Sequence, residues 1–174
     1  MANIPHTNES ADCGTLIIGL GGLEVVRTGR GLLVTYALGS CIGVTVHDPI
    51  ARVGGMVHLQ MANSRDASDP VEAQASPGRY VDLGLPLLIV TAERCGALAS
   101  RLRIAIAGGA APGPGGSDYF AIGKRNLTAV RKWLWQSGLL VAGEDVGGDQ
   151  PRTMKLDLAT GQTVMSAQGR QYQI

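Results

Sequence analysis

The chain has few cysteines, few aromatics and almost no excess of charge, and each shortage removes a class of function. Its three cysteines, Cys13, Cys41 and Cys95, form no Cys-x-x-Cys pair and cannot all be bridged within one chain. That usage fits a reducing, cytoplasmic setting, where an odd cysteine is a buried filler or a reactive thiol. Lys and Arg (15) barely outnumber Asp and Glu (14), for a net charge of +1, and phenylalanine occurs once. With no basic block either, the footprint of a nucleic-acid binder is missing. The longest apolar run, residues 83–92, is too short to span a bilayer, so no membrane insertion is expected. Residues 1–14 carry Glu9 and Asp12 but no Lys or Arg, unlike the positive start of a signal peptide, and read as a flexible lead-in. What is present is a 45% hydrophobic, 17% charged chain of 174 residues. That composition suits a single globular domain, here residues 15–174, long enough to bury a core.

The densest signal lies between Gly39 and His58. Residues 41–47 alternate, Asp48-Pro49-Ile50-Ala51 is a turn signal with proline at its second position, and residues 52–58 alternate again. A two-residue loop at Pro49-Ile50 pairs Asp48 with Ala51 and brings Cys41 opposite His58. The same register sets Ile42 against Val57 and Val46 against Val53 on one apolar face, leaving Cys41, Thr45, His47 and His58 on the other. Directly paired residues have Cβ atoms about 4.5–5.5 Å apart, within reach of a thiol–imidazole hydrogen bond. A one-residue slip would mix the two faces, so the pattern selects this register, although primed turns are commoner than proline turns in tight hairpins.

Around this hairpin, glycine-broken apolar runs at 15–18 and 23–26 read as edge strands, and residues 32–38 as a third strand ending in the Gly39-Ser40 bend. Residues 62–78, rich in Ser, Asp, Ala and Pro, read as a mobile surface loop. Residues 79–97 read as a mostly buried helix, with Pro86 either a kink or a late first-turn residue. A strand over 101–107 leads to the Pro/Gly-rich loop 110–116. A second helix over 123–137 carries Leu127, Val130 and Leu134 on one stripe and stops at Gly138. Three strand candidates follow, at 139–142, 153–158 and 162–166. Antiparallel strands with two interspersed helices make an α+β fold.

The chemistry this arrangement points to is amide hydrolysis by a cysteine. A free thiol is mostly protonated near neutral pH, and a facing imidazole converts it to the attacking thiolate. Backbone N–H groups at the Gly39-Ser40-Cys41 bend supply the oxyanion donors. For an arbitrary cysteine, a buried small hydrophobe would be the better reading; the glycine-flanked bend and cross-strand histidine reverse that. His47 stands six residues up the strand, roughly 20 Å away at about 3.3 Å per residue, and reads as surface. Cys13 and Cys95 read as fillers. Thr35 alone is an ordinary strand threonine. Gly108-Gly109 and Gly147-Gly148 mark tight turns, not phosphate cradles. Trp133 and Trp135, two apart on a helix, point different ways, and one is expected to be exposed. One histidine facing one cysteine falls short of a zinc ligand set, so neither a metal nor another cofactor is expected.

The ordered motifs resemble the CheD family, the chemoreceptor glutamine deamidases of bacterial chemotaxis. The resemblance rests on residues 34–41 with Asp48-Pro49 and Gly54-Gly55-Met56-x-His58, then Arg79-Tyr80-x-Asp82, Gly108-Gly109-Ala110 and Ile122-Gly123-x-Arg125-Asn126. Glu144-Asp145-x-Gly147-Gly148, Pro151-Arg152 and Thr160-Gly161 complete the series. No single piece is specific; the ordered set, over roughly residues 23–165, is. The resemblance implies a layered α/β/β/α sandwich with mixed sheets, shared with toxin-type cysteine deamidases. It implies a Cys–His–Thr site on Cys41, His58 and Thr35, with Thr35 holding the second imidazole nitrogen, and Gly39 and Ser40 supporting the oxyanion. It places Arg79, Tyr80, Arg125 and Asn126 at a substrate or partner surface. The implied partners are the cytoplasmic helices of methyl-accepting chemoreceptors and a CheC-type phosphatase. The implied reaction is deamidation of receptor glutamines to glutamate, with hydrolysis of glutamate methyl esters chemically accessible to the same site. The chain departs from the family pattern at Val57, Leu59, Val81 and the 110–116 loop, which bears on substrate range and partners, not on the trio. Two other readings stay open: an adaptor for the phosphatase with a silent site, and a cysteine amidase acting outside chemotaxis.

Overall fold

Alternation along two central strands sets the architecture. In β4 (Ile42–Asp48) and β5 (Val53–Leu59) every residue is buried, so both faces of the hairpin are covered. Ile42, Val44 and Val46 join Val53, Val57 and Leu59 in a cluster with Leu85, Leu88 and Ala92 of α2 (Val81–Arg94) and Val130 and Leu134 of α3 (Ile122–Gln136). The intervening residues of the hairpin face a second sheet. There Met56 packs with Leu33 and Leu38 of β3 (Leu32–Leu38) and Met154 and Leu156 of β8 (Arg152–Asp157). Each fully buried Leu, Val or Met side chain contributes about 1.5–3 kcal/mol, so the hairpin is the shared wall of two cores.

The computed structural model describes residues 14–27, 29–111 and 121–174. The expected lead-in up to Cys13 and all but the first two residues of the 110–116 loop lie outside the described residues. The first sheet runs β2-β5-β4-β6-β7, adding β2 (Leu23–Arg27), β6 (Arg103–Gly108) and β7 (Val141–Val146). The second runs β1-β3-β8-β9-β10, adding β1 (Thr15–Ile17), β9 (Thr163–Ala167) and β10 (Arg170–Gln173). Both are mixed: β1 pairs β3 and β6 pairs β7 in parallel, and the other pairings are antiparallel. The α+β sandwich and the two edge strands are as the sequence leads one to expect. The helical layer lies on the first sheet, and among the described residues no long helix covers the outer face of the second.

Three expectations need correction. The hairpin register is shifted by two: Ile42 pairs with Leu59, Gly43 with His58 and Asp48 with Val53. The turn holds four residues, not two, because the Asp48 carboxylate accepts from the N–H of Ile50 and of Ala51, and Arg52 takes a left-handed φ of 54°. Residues 62–78 carry a short helix, α1 (Pro70–Ala75), whose Asp69 cap accepts from Val71 N–H, and two 3₁₀ turns. His47 is buried (3% exposed), not surface, because the second sheet covers it and Gly161 packs on its ring. β7 runs farther than its predicted strand, and β10, polar and exposed throughout, offers no alternation to read. Trp135 is 80% exposed while Trp133 packs on the core.

Glycines let the two sheets close on each other. A Cβ on Gly43 would sit 2.8 Å from Leu38 Cδ1 and 2.9 Å from Met154 Sδ, and one on Gly54 2.2 Å from Leu158 Cδ2. Their absence brings β3 close enough for side chains on opposite sheets to bond across the gap.

Candidate active site

His58 and Thr35 meet across that gap. Thr35 Oγ1 lies 2.8 Å from His58 Nδ1, and both residues are buried. The threonine hydroxyl has one proton, and it donates this to the carbonyl of Ile18 at 2.7 Å. Toward the imidazole, Thr35 can then only accept, so the proton sits on Nδ1 and Nε2 keeps its lone pair. Nε2 is buried and without a hydrogen-bond partner among the described residues.

Cys41 immediately precedes β4, with its side chain against the core between the sheets, the side His58 occupies. Because Gly43 pairs with His58, Cys41 stands diagonal to the histidine and not opposite it. Diagonal neighbours lie about 7–8 Å apart, less between Cβ atoms, a separation within reach of a side chain as long as the imidazole. A two-residue shift is even, so the shared face predicted for Cys41 and His58 survives the change of register. Burial raises the Cys41 thiol above its usual 9.0. Burial likewise lowers the His58 imidazole below 6.5, with the Ile18 carbonyl pulling weakly the other way. Both shifts favour a neutral thiol beside a neutral imidazole at rest, not a preformed ion pair.

The bend that presents Cys41 is held by its carbonyls. The carbonyl of Gly39 accepts from Ala110 N–H at 2.8 Å and that of Cys41 from Gly109 N–H at 2.9 Å. Asn126 Nδ2 donates to the carbonyls of Ser40 (3.0 Å) and Gln60 (2.9 Å). The N–H groups of Ser40 and Cys41 have no acceptor among the described residues, which leaves them for a developing oxyanion. Gly108, at φ 106°, takes a conformation that lets it lie against the bend, where a Cβ would fall 2.1 Å from the Cys41 carbonyl oxygen. Behind it, Gly147 N–H donates to the Gly108 carbonyl, and the buried Arg152 ties the carbonyls of Asp145 and Gly147 and the Asp145 carboxylate. The scattered motifs thus converge on one bend.

A cleft of about 560 Å³ opens over Cys41, lined by Ser40, Gln60, Met61, Ala62, Asp66, Ile122, Arg125 and Asn126. Arg125 reaches it at the exposed rim, paired with Asp66 at 3.0 Å. Arg79 stands behind it, donating from Nε to Gln60 Oε1 at 3.0 Å and from Nη1 to Glu72. Tyr80, 2% exposed, fills the core at the start of α2 and is not the surface residue expected, whereas Asn126, 1% exposed, clamps backbone while lining the cleft. Sequence reasoning missed Ile18, whose part is played by a carbonyl, and Gln60, which lies just beyond the pairing of Ile42 with Leu59, level with Cys41 on the neighbouring strand. No side-chain signal marks the first; the corrected register marks the second. Among the described residues no three His, Cys, Asp or Glu side chains gather to hold a metal ion, and no helix is long and apolar enough to cross a membrane.

The family model of CheD chemotactic sensory transduction matches residues 63–167, which include Asp66, Ile122, Arg125 and Asn126 of the cleft wall and the support of the bend, while Thr35, Cys41 and His58 precede the match. Over longer spans the chain is similar to two curated proteins called probable chemoreceptor glutamine deamidase CheD. The protein from Solibacter usitatus is 39% identical, covering 91% of this chain and 92% of its own. That from Syntrophotalea carbinolica is 41% identical, covering 91% and 98%. The chemoreceptor glutamine deamidase CheD of Thermotoga maritima is 35% identical, covering 88% and 92%. The expected resemblance is therefore met along nearly the whole length, and the chain belongs to the CheD family.

Proposed function

We propose that this chain is a cysteine hydrolase that deamidates glutamine side chains of chemoreceptors, with Cys41 as nucleophile, His58 as base and acid, and Thr35 as the residue that orients the base. The observation that carries the reading is the His58 ring: Thr35 fixes its proton on Nδ1 and leaves an unpartnered Nε2 on the side where Cys41 sits. The relatives' names supply the substrate class, a glutamine of a chemoreceptor.

As the glutamine carboxamide enters the cleft, His58 Nε2 takes the thiol proton and Cys41 Sγ bonds to the amide carbon. The carbonyl π electrons move onto oxygen, where the N–H groups of Ser40 and Cys41 stabilise the charge. The protonated imidazole gives its proton to nitrogen, the C–N bond breaks, and ammonia leaves a thioester. Water, losing a proton to Nε2, attacks that thioester; the C–S bond breaks, Cys41 Sγ takes the proton back from Nε2, and glutamate departs. A glutamate methyl ester runs the same course with methanol as leaving group. The neutral resting pair means that the thiolate forms during attack.

With the cytoplasmic helices of chemoreceptors as the proposed substrate, the proposed location is the cytoplasm. A CheC-type phosphatase is a second proposed partner, on the strength of the family resemblance. The test incubates a receptor cytoplasmic fragment with the protein and follows ammonia and fragment mass together. Deamidation predicts about one dalton gained per ammonia released. Tight binding of the phosphatase by folded protein, with no fragment converted, would favour the adaptor reading.

A further inference from the structure

We infer that Asn126 is the residue that reads the substrate as an amide: its Oδ1 accepts a hydrogen bond from the NH₂ of the carboxamide that Cys41 attacks. The inference rests on the deamidase reading above and adds the group that sets its specificity. Asn126 is 1% exposed, lies one turn into α3, and shares the cleft wall with Ser40 and Cys41. Both protons of its Nδ2 are engaged, at 3.0 Å by the Ser40 carbonyl and at 2.9 Å by that of Gln60. A flipped amide would press Oδ1 against two carbonyl oxygens, so the network admits one orientation. The bonds that hold Asn126 all run through Nδ2, and Oδ1 carries no donor among the described residues.

The other polar side chains on the cleft are differently placed. Gln60 Oε1 already accepts from Arg79. Asp66 sits at the exposed rim with Arg125. The Ser40 hydroxyl donates or accepts as needed and discriminates nothing. Asn126 alone among them is buried with its polarity fixed. A primary amide bound with its oxygen toward the N–H groups of Ser40 and Cys41 must place its NH₂ against an acceptor or leave it unsatisfied. A methyl ester offers Oδ1 no N–H, and a carboxylate offers it a second acceptor. The same atom therefore favours glutamine over the methyl ester and favours release of the glutamate product. The clamp and the reading are linked: the contacts that hold the Cys41 bend also aim Oδ1.

The test compares kcat/KM for a receptor fragment bearing glutamine and for the same fragment bearing the glutamate γ-methyl ester, in the wild-type chain and in Asn126→Ala. Loss of the clamp alone lowers both substrates alike. The expected result is a fall in the amide-to-ester ratio of at least about tenfold, on top of any common loss. Equal proportional losses would overturn the inference while leaving the deamidase reading standing; a wild-type chain that turns over neither substrate would overturn both. Should Asn126→Ala fail to fold, the Cys41→Ala chain, with Asn126 intact, decides by equilibrium binding. It should hold the glutamine fragment at least about tenfold more tightly than the ester, and equal affinities would count against Asn126.

Discussion

The proposed site divides its labour among three side chains according to what each can do chemically. Threonine is unusual as the partner of a catalytic imidazole because it is uncharged and donates as readily as it accepts. The Ile18 carbonyl removes that ambiguity by taking the hydroxyl proton, so Thr35 serves as a pure acceptor for Nδ1–H. Thr35→Val keeps the shape and loses the acceptor; kcat should fall about 10–100-fold, with Thr35→Ser restoring most of it in steady-state assays. A Thr35→Val chain as active as wild type would remove the orienting role. The pH profile follows from the His58 shift. With its imidazole lowered below 6.5 by burial, His58 stays a base across neutral pH. The acidic limb of kcat/KM should accordingly lie below 6.5, and a limb above it would contradict the assignment. The same shift has a stability sign: below 6.5 the unfolded chain binds more protons than the folded one, so stability is lost as pH falls through that range. Thr35 shows how far single residues are legible. Its identity as a β-former conceals its role, and only the family resemblance singled it out.

At the scale of elements, the hairpin of β4 and β5 carries the proposed nucleophile and base, and its turn sets their relation. Asp48 is fully buried, accepts from Ile50, Ala51 and Leu98 N–H, and pairs with Arg101 at 2.7 Å. Burial raises its carboxyl, but the Arg101 guanidinium and these backbone donors outweigh that and hold it well below the usual carboxylate range. Asp48→Ala leaves these donors without their acceptor; urea unfolding should show a loss of about 3 kcal/mol. A loss under about 0.5 kcal/mol would mean that the turn is set elsewhere. The faces of the hairpin were legible because alternation survives any even slip. The register was not, because Pro49 marks a turn without fixing its length. Helix α1 was not legible either, since only Ala73 is buried along it and no apolar stripe announces it.

At the scale of the whole molecule, the fold is a device for bringing distant segments to one bend. β4 presents Cys41, β6 and α3 hold its carbonyls, β7 and β8 brace β6 through Arg152, and β3 reaches across from the other sheet with Thr35. The sequence shows these segments as an ordered set of motifs, but their convergence depends on strand order, which alternation does not encode. In the proposed mechanism a single thiol at this bend forms the covalent intermediate. Its most direct test is the mass of a receptor cytoplasmic fragment after incubation with wild type, Cys41→Ala and Cys95→Ala. Wild type and Cys95→Ala should each add about one dalton per modified glutamine, and Cys41→Ala none. Conversion by the Cys41→Ala chain at the wild-type rate would contradict it.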